Sequence, residues 1–178
     1  MDSISQKKSV HDLIAEVRRS RELVLAVVHD LSDSDGRWKP ASLEWSASEI
    51  IEHLVLAEIA GVERIWSAAT SDQQPSVSPN EGLSIEQIVA RTWRAQEKAP
   101  PNATPRGEGP LAFWAASLHS LQPVLNALAV RLAGMDLERV VFPHFLCGPL
   151  GARQRLEFLR FHMDRHRDQL SRLAVKRP

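Results

Sequence analysis

The chain has 178 residues, with 22 Lys plus Arg balanced by 22 Asp plus Glu and a pI near 7.1. It is therefore of one-domain size, residues 1–178, and offers no basic field for phosphates, which argues against a nucleic-acid binder and against a polybasic membrane anchor. Hydrophobic residues make up 43%, enough for a real core. No apolar run approaches the roughly 20 residues needed to cross a bilayer. The lone Cys147 cannot make an internal disulfide and the start MDSISQKKSV lacks the apolar run of a secretory signal, so a cytoplasmic location is expected.

From about Val10 to Leu31, Leu13, Ile14, Val17, Val24, Val27 and Val28 recur at three- and four-residue spacings, predicting an amphipathic helix. It stops in the polar stretch SDSDGRWKP, where Gly36 and Pro40 break the period. Ser46-Ala47-Ser48-Glu49 has the spacing of a capping box and opens a second helix, whose stripe of Ile50, Leu54, Ala57, Gly61, Ile65 and Trp66 runs toward about Ala69. Residues 70–83 form a polar connector long enough to run from one end of a bundle to the other. Ser84 to Gln87 is a second possible capping box, predicting a third helix that carries Ile88, Val89 and Trp93 until Pro100-Pro101 stops it.

Residues 100–110 are a loop by composition. A fourth helix follows from Pro110 to about Leu132, with a kink or break predicted at Pro123. The period is lost over 134–152, where only 140–142 suggests a brief extended segment. The last helix is predicted from about Arg153 to Val175, with Leu156, Leu159, His162, Met163, His166, Leu170 and Leu173 on its apolar stripe.

Seven histidines and no tyrosine make histidine the residue to follow. His162 and His166, four apart on a helix, differ by roughly 40° around its axis and point the same way. They lie on the face that should enter the core, and buried imidazoles need hydrogen bonds or a shared metal. His53 lies on or beside the apolar face of the second helix, where a hydrogen-bonded core histidine is the plain alternative to a ligand. Together the three make an open tripodal site, leaving an ion at least one free position for water or a thiolate.

Three stretches carry a resemblance: Trp45-Ser46-Ala47-Ser48-Glu49-Ile50-Ile51-Glu52-His53-Leu54, then His144-Phe145-Leu146-Cys147-Gly148-Pro149-Leu150, then Phe161-His162-Met163-Asp164-Arg165-His166-Arg167-Asp168-Gln169-Leu170. Over nearly its whole length the chain resembles the DinB/YfiT superfamily. The resemblance implies an all-α, four-helix bundle with an up-down-down-up path and long connecting loops. It also implies a divalent ion, zinc or nickel, held by His53, His162 and His166, and a homodimer. Relatives include metal-dependent thiol transferases or isomerases using low-molecular-weight thiols, and hydrolases. A small-molecule substrate, possession of a metal-dependent activity and no nucleic-acid partner are the corresponding expectations. The alternative is a non-catalytic bundle with a structural metal or none, binding a ligand or partner.

Around the site, Glu49 is a candidate base or support for a ligand, though as third residue of a capping box the helix terminus competes for it. Gln169 is a candidate to orient a ligand, with a surface role as the alternative. His144 and Cys147 are read as lining the pocket or packing rather than as a second metal site. Trp38, Trp45, Trp66, Trp93 and Trp114 are read as core, Trp45 with the option of walling the pocket. His11, His29 and His119 have no matching partner and are taken as surface or structural. Met163 stands where a zincin has its glutamate, which argues against a peptidase.

Overall fold

The computed structural model describes residues 8–71, 76–94 and 98–176. Its helices are α1 (Val10–Val28), α2 (Asp33–Arg37), α3 (Ala47–Thr70), α4 (Ile85–Thr92), α5 (Leu111–His119), α6 (Gln122–Leu132) and α7 (Ala152–Lys176). A hairpin of β1 (Val141–His144) and β2 (Gly148–Gly151) precedes α7, and a 3₁₀ turn spans Pro101–Ala103. None of the described helices is long and apolar enough to cross a membrane.

α1, α3, the α5–α6 pair and α7 form the four-helix bundle, and its core residues settle the direction of each. At one end Leu13 and Val17 of α1 meet Ile65 and Ala69 of α3, Leu128 and Leu132 of α6, and Leu156 of α7. At the other end Val24 and Val28 meet Ile50 and Leu54, Leu118, and Leu170 and Leu173. Thus α1 and α7 run parallel, with α3 and α5–α6 opposed to both, which is the expected up-down-down-up path. Between the layers lies a buried polar link from α1 to α3 and α6. Arg21 is ion-paired with Glu58, and its Nη1 donates to Gln122 Oε1 at 2.6 Å.

Local chemistry accounts for the helix starts. Ser46 Oγ accepts from the Glu49 N–H at 3.3 Å and Glu49 Oε2 accepts from the Ser46 N–H at 2.8 Å, a closed capping box. The Ser84 and Gln87 pair repeats it for α4. Two further boxes escaped the reading of the sequence. Ser9 with Asp12 opens α1, and Ser32 with Asp35 folds part of the polar stretch after α1 into the one-turn α2, so the predicted first helix ends three residues early.

Three more boundaries differ from expectation. The third helix ends at Thr92, because Trp93 leaves helical geometry (φ −85°, ψ 129°) and stacks on Phe158, 5.9 Å between ring centroids; residues 95–97 of the predicted span lie outside the described residues. The fourth helix is two helices. The break falls at Ser120 and Leu121, which places Pro123 in the first turn of α6, where its missing N–H is not needed. Residues 134–152 contain the hairpin, pairing Phe142 with Leu150, which Pro143, Pro149 and two glycines disguised. Gly151 is required where the hairpin enters α7: a Cβ there would stand 3.0 Å from the Leu137 carbonyl oxygen. The hairpin and α4 bury Cys147, Ile85, Ile88 and Leu150 against Phe158 in a satellite core.

Candidate metal centre

α3 and α7 bring His53, His162 and His166 together, each buried, with one ring nitrogen apiece inside a 4.8 Å cluster. His162 Nε2 stands 3.1 Å from both His53 Nε2 and His166 Nε2. The other nitrogens of the outer two are anchored. His53 Nδ1 donates to the Ala103 carbonyl at 2.6 Å, and His166 Nδ1 donates to Gln169 Oε1 at 2.8 Å. These partners assign the neutral tautomer that leaves Nε2 as a bare lone pair in both rings. His162 has at most one Nε2 proton to offer two such acceptors. At least one of the two short contacts is then left without a proton of its own, unless a cation is shared by all three.

The donor set fits a divalent ion. Bonds of 2.0–2.1 Å in tetrahedral geometry require nitrogens about 3.3 Å apart, close to the spacing here. Imidazole nitrogens suit zinc and nickel alike.

Burial holds the histidines neutral. The His53 imidazole lies below its ordinary pKa because it is desolvated, and His162 lies well below because of burial and then the neighbouring His166 and His53. His166 is drawn down to about 3, mainly by burial. An unfolded chain takes up these protons near pH 6.5, whereas the folded one resists until much lower pH. The associated stability is therefore complete above pH 6.5 and lost as the pH falls toward 3. For His166 alone the loss between pH 6.5 and 5 is about 2 kcal/mol. Urea unfolding of metal-free protein should show a lower midpoint at pH 5 than at pH 7.5. A His162→Ala, His166→Ala variant should show a smaller drop; equal drops would mean that the folded imidazoles protonate normally.

A DinB superfamily model matches residues 16–170. The chain belongs to the DinB superfamily. The uncharacterized protein YuaE of Bacillus subtilis (strain 168) is 26% identical over 151 residues, spanning 82% of this chain and 87% of YuaE. YfiT from Bacillus subtilis, described as "a probable metal-dependent hydrolase with an unusual four-helix bundle topology", superposes with a TM-score of 0.66. The superposition covers 98% of this chain and 90% of YfiT at 16% identity, a likeness of fold.

In this DinB superfamily chain a cavity of about 510 Å³ opens from the three histidines between α3 and α7. Gln169 lies at its wall, with its Oε1 on His166 Nδ1. Trp45 lies against the imidazoles, 4.9 Å from the His53 ring and 6.5 Å from that of His166. His144 also lines the cavity. Its Nδ1 accepts the Cys147 N–H at 3.1 Å and the Leu146 N–H at 3.3 Å, so its Nε2 carries the proton.

Glu49 stands apart from this group, because its carboxylate is engaged by the helix cap and by Lys39 at 2.6 Å. Cys147 is buried and packed, and burial pushes its thiol pKa up, unlike an activated thiol. Trp66 is 37% exposed, at the surface and not in the core. Trp93 lines the cavity, with Arg165 over its ring at 4.8 Å. His11, His29 and His119 are exposed, as expected.

Glu52 is the supporting residue that the sequence did not single out. Buried beside His53, it accepts backbone N–H groups of Arg106 at 2.9 Å and Gly107 at 3.1 Å. That fixes the loop whose Ala103 carbonyl orients His53. The one available signal was an acid on the inward side of a capped helix, next to a candidate ligand.

Proposed function

We propose that this chain is a divalent-metal-dependent enzyme that activates a small nucleophile, water or a low-molecular-weight thiol, against a small-molecule substrate. The observation that carries the reading is the convergence of three neutral imidazoles, two of them oriented by hydrogen bonds, on one point at the head of a cavity. A divalent ion held by His53, His162 and His166 would supply Lewis-acid activation to the nucleophile or substrate. The description of YfiT as a probable metal-dependent hydrolase supports the same reading.

The chain's own groups divide the remaining work. His53 and His166 are kept in the ligating tautomer by Ala103 and Gln169. Trp45, Trp93 and Phe158 line the cavity and limit water around the reacting group. The described lining contains no carboxylate to serve as general base, a feature that suits a nucleophile whose proton is already acidified.

Protein purified without a histidine tag should hold near one zinc or nickel ion per chain by elemental analysis. The metal-loaded form should then be assayed on ester and amide panels, with and without added cysteine as thiol. Turnover without thiol identifies a hydrolase and turnover only with thiol identifies a transferase. No bound ion, and none taken up from added zinc or nickel, would overturn the reading in favour of a ligand-binding bundle.

A further inference from the structure

The cavity has a second, cationic pole. Arg155 precedes His162 on α7 by seven residues and Arg64 follows His53 on α3 by eleven, close to two and three full helical turns. Each arginine thus shares a helix face with a histidine. Because α3 and α7 are antiparallel, both arginines fall at the same end of the cavity, about 10 to 16 Å along the helix axes from the histidine positions. Both line it.

Arg155 is the unusual member. It is 8% exposed, and its Nε and Nη1 have no hydrogen-bond partner among the described residues. No described carboxylate is ion-paired with it, whereas Arg21, which is also buried, has Glu58 and Gln122. Its guanidinium packs against Phe142 and Phe158, 5.9 and 5.4 Å from the ring centroids. Burial, with the charge of Arg64 added, draws its pKa down to about 10, so it remains a cation at neutral pH. Gly61 leaves room for it, since a Cβ there would stand 3.2 Å from Nη2. The described lining also includes Lys98 and Arg165 and no Asp or Glu. A desolvated cation without a partner lowers the stability of the empty fold, and functional sites are where such a cost is retained.

We propose that Arg155, assisted by Arg64, is a carboxylate-binding pole, and that the substrate is a small carboxylic acid whose reacting group lies toward the three histidines. The planar guanidinium offers N–H donors in a geometry that matches a carboxylate. Phosphate is the competing anion, because Arg64, Lys98 and Arg165 also line the cavity, and it is therefore an arm of the test. What the acid undergoes rests on the metal-dependent reading above; its binding does not, so the two can fail separately.

The test measures binding of hexanoate, hexanamide and inorganic phosphate to the full chain by calorimetry, zinc-loaded and EDTA-treated. Hexanoate should bind both forms at least about ten-fold tighter than hexanamide, as expected when a charged partner is left unpaired by a neutral analogue. Arg155→Met should weaken hexanoate about ten-fold or more, leave hexanamide unchanged, and raise the urea midpoint because an unpaired buried charge has gone. Arg155→Lys should recover part of the hexanoate affinity. Unchanged hexanoate binding in Arg155→Met, or a lowered urea midpoint, would make Arg155 a structural cation and overturn the proposal. Tighter binding of phosphate than of hexanoate would overturn the carboxylate assignment. Hexanoate binding confined to the zinc-loaded form and indifferent to Arg155→Met would place the acid at the histidines and sink the second pole. Hexanoate binding that depends on Arg155 in a chain that takes up no metal would uphold the pole and remove the metal reading instead.

Discussion

Replacing His162 by alanine is expected to reduce the bound divalent ion from near one per chain to near zero, with affinity lowered by more than about 100-fold, beyond the loss typical of a supporting residue. His162 is the shared partner of the cluster, with Nε2 3.1 Å from those of both His53 and His166. Without it two donors remain, one from α3 and one from α7, and an ion loses a third of its protein ligands. Gln169→Leu is the graded companion. It keeps all three imidazoles but removes the acceptor at 2.8 Å from His166 Nδ1, so the ring is free to adopt the other tautomer. A loss of about 10- to 100-fold is expected there. Competition against a chromophoric chelator measures both. Equal affinities for wild type and His162→Ala would remove the histidine cluster as the metal site, wherever the ion then proved to bind.

Glu58→Ala is expected to destabilise the bundle by about 3–5 kcal/mol, because it leaves the Arg21 cation buried and uncompensated. Arg21 and Glu58 are 2% and 1% exposed, and burial pushes the Glu58 carboxyl up against the opposing pull of Arg21. For a chain of this size the loss corresponds to roughly 6–20 °C in Tm. A double change, Arg21→Met with Glu58→Leu, should recover most of it or exceed wild type, since apolar side chains of similar volume avoid desolvating two charges. Calorimetry of the three proteins checks the pair. A Glu58→Ala loss under about 1 kcal/mol would mean that Arg21 finds water or another acceptor. The contrast with Arg155 is informative: both arginines are buried, but only the one facing the cavity lacks a described carboxylate.

The helices of the bundle were legible because their signals are local. Apolar residues at three- and four-residue spacing marked α1, α3 and α7 to within a few residues, and Ser46 with Glu49 located the start of α3 to the residue. The Ser32 and Asp35 cap was equally local but lay in a stretch dominated by turn formers. The β1–β2 hairpin was hidden for a different reason. Its four-residue strands contain Pro143 and Pro149 and are too short for alternation to stand out, and they pack against α4 and α7.

By itself the sequence determined that His162 and His166 share a helix face and that His53 lies on the inward side of another helix. Backbone periodicity dictates both. Only the tertiary structure decided that the three nitrogens meet, that Ala103 and Gln169 set their tautomers, that Glu49 is consumed by its cap, and that Arg155 enters the same cavity unpaired. Periodicity specifies which side of a helix turns inward. What stands opposite depends on the register and direction of another helix and on loops such as 98–107, where each contact joins residues far apart in the chain and leaves no local pattern.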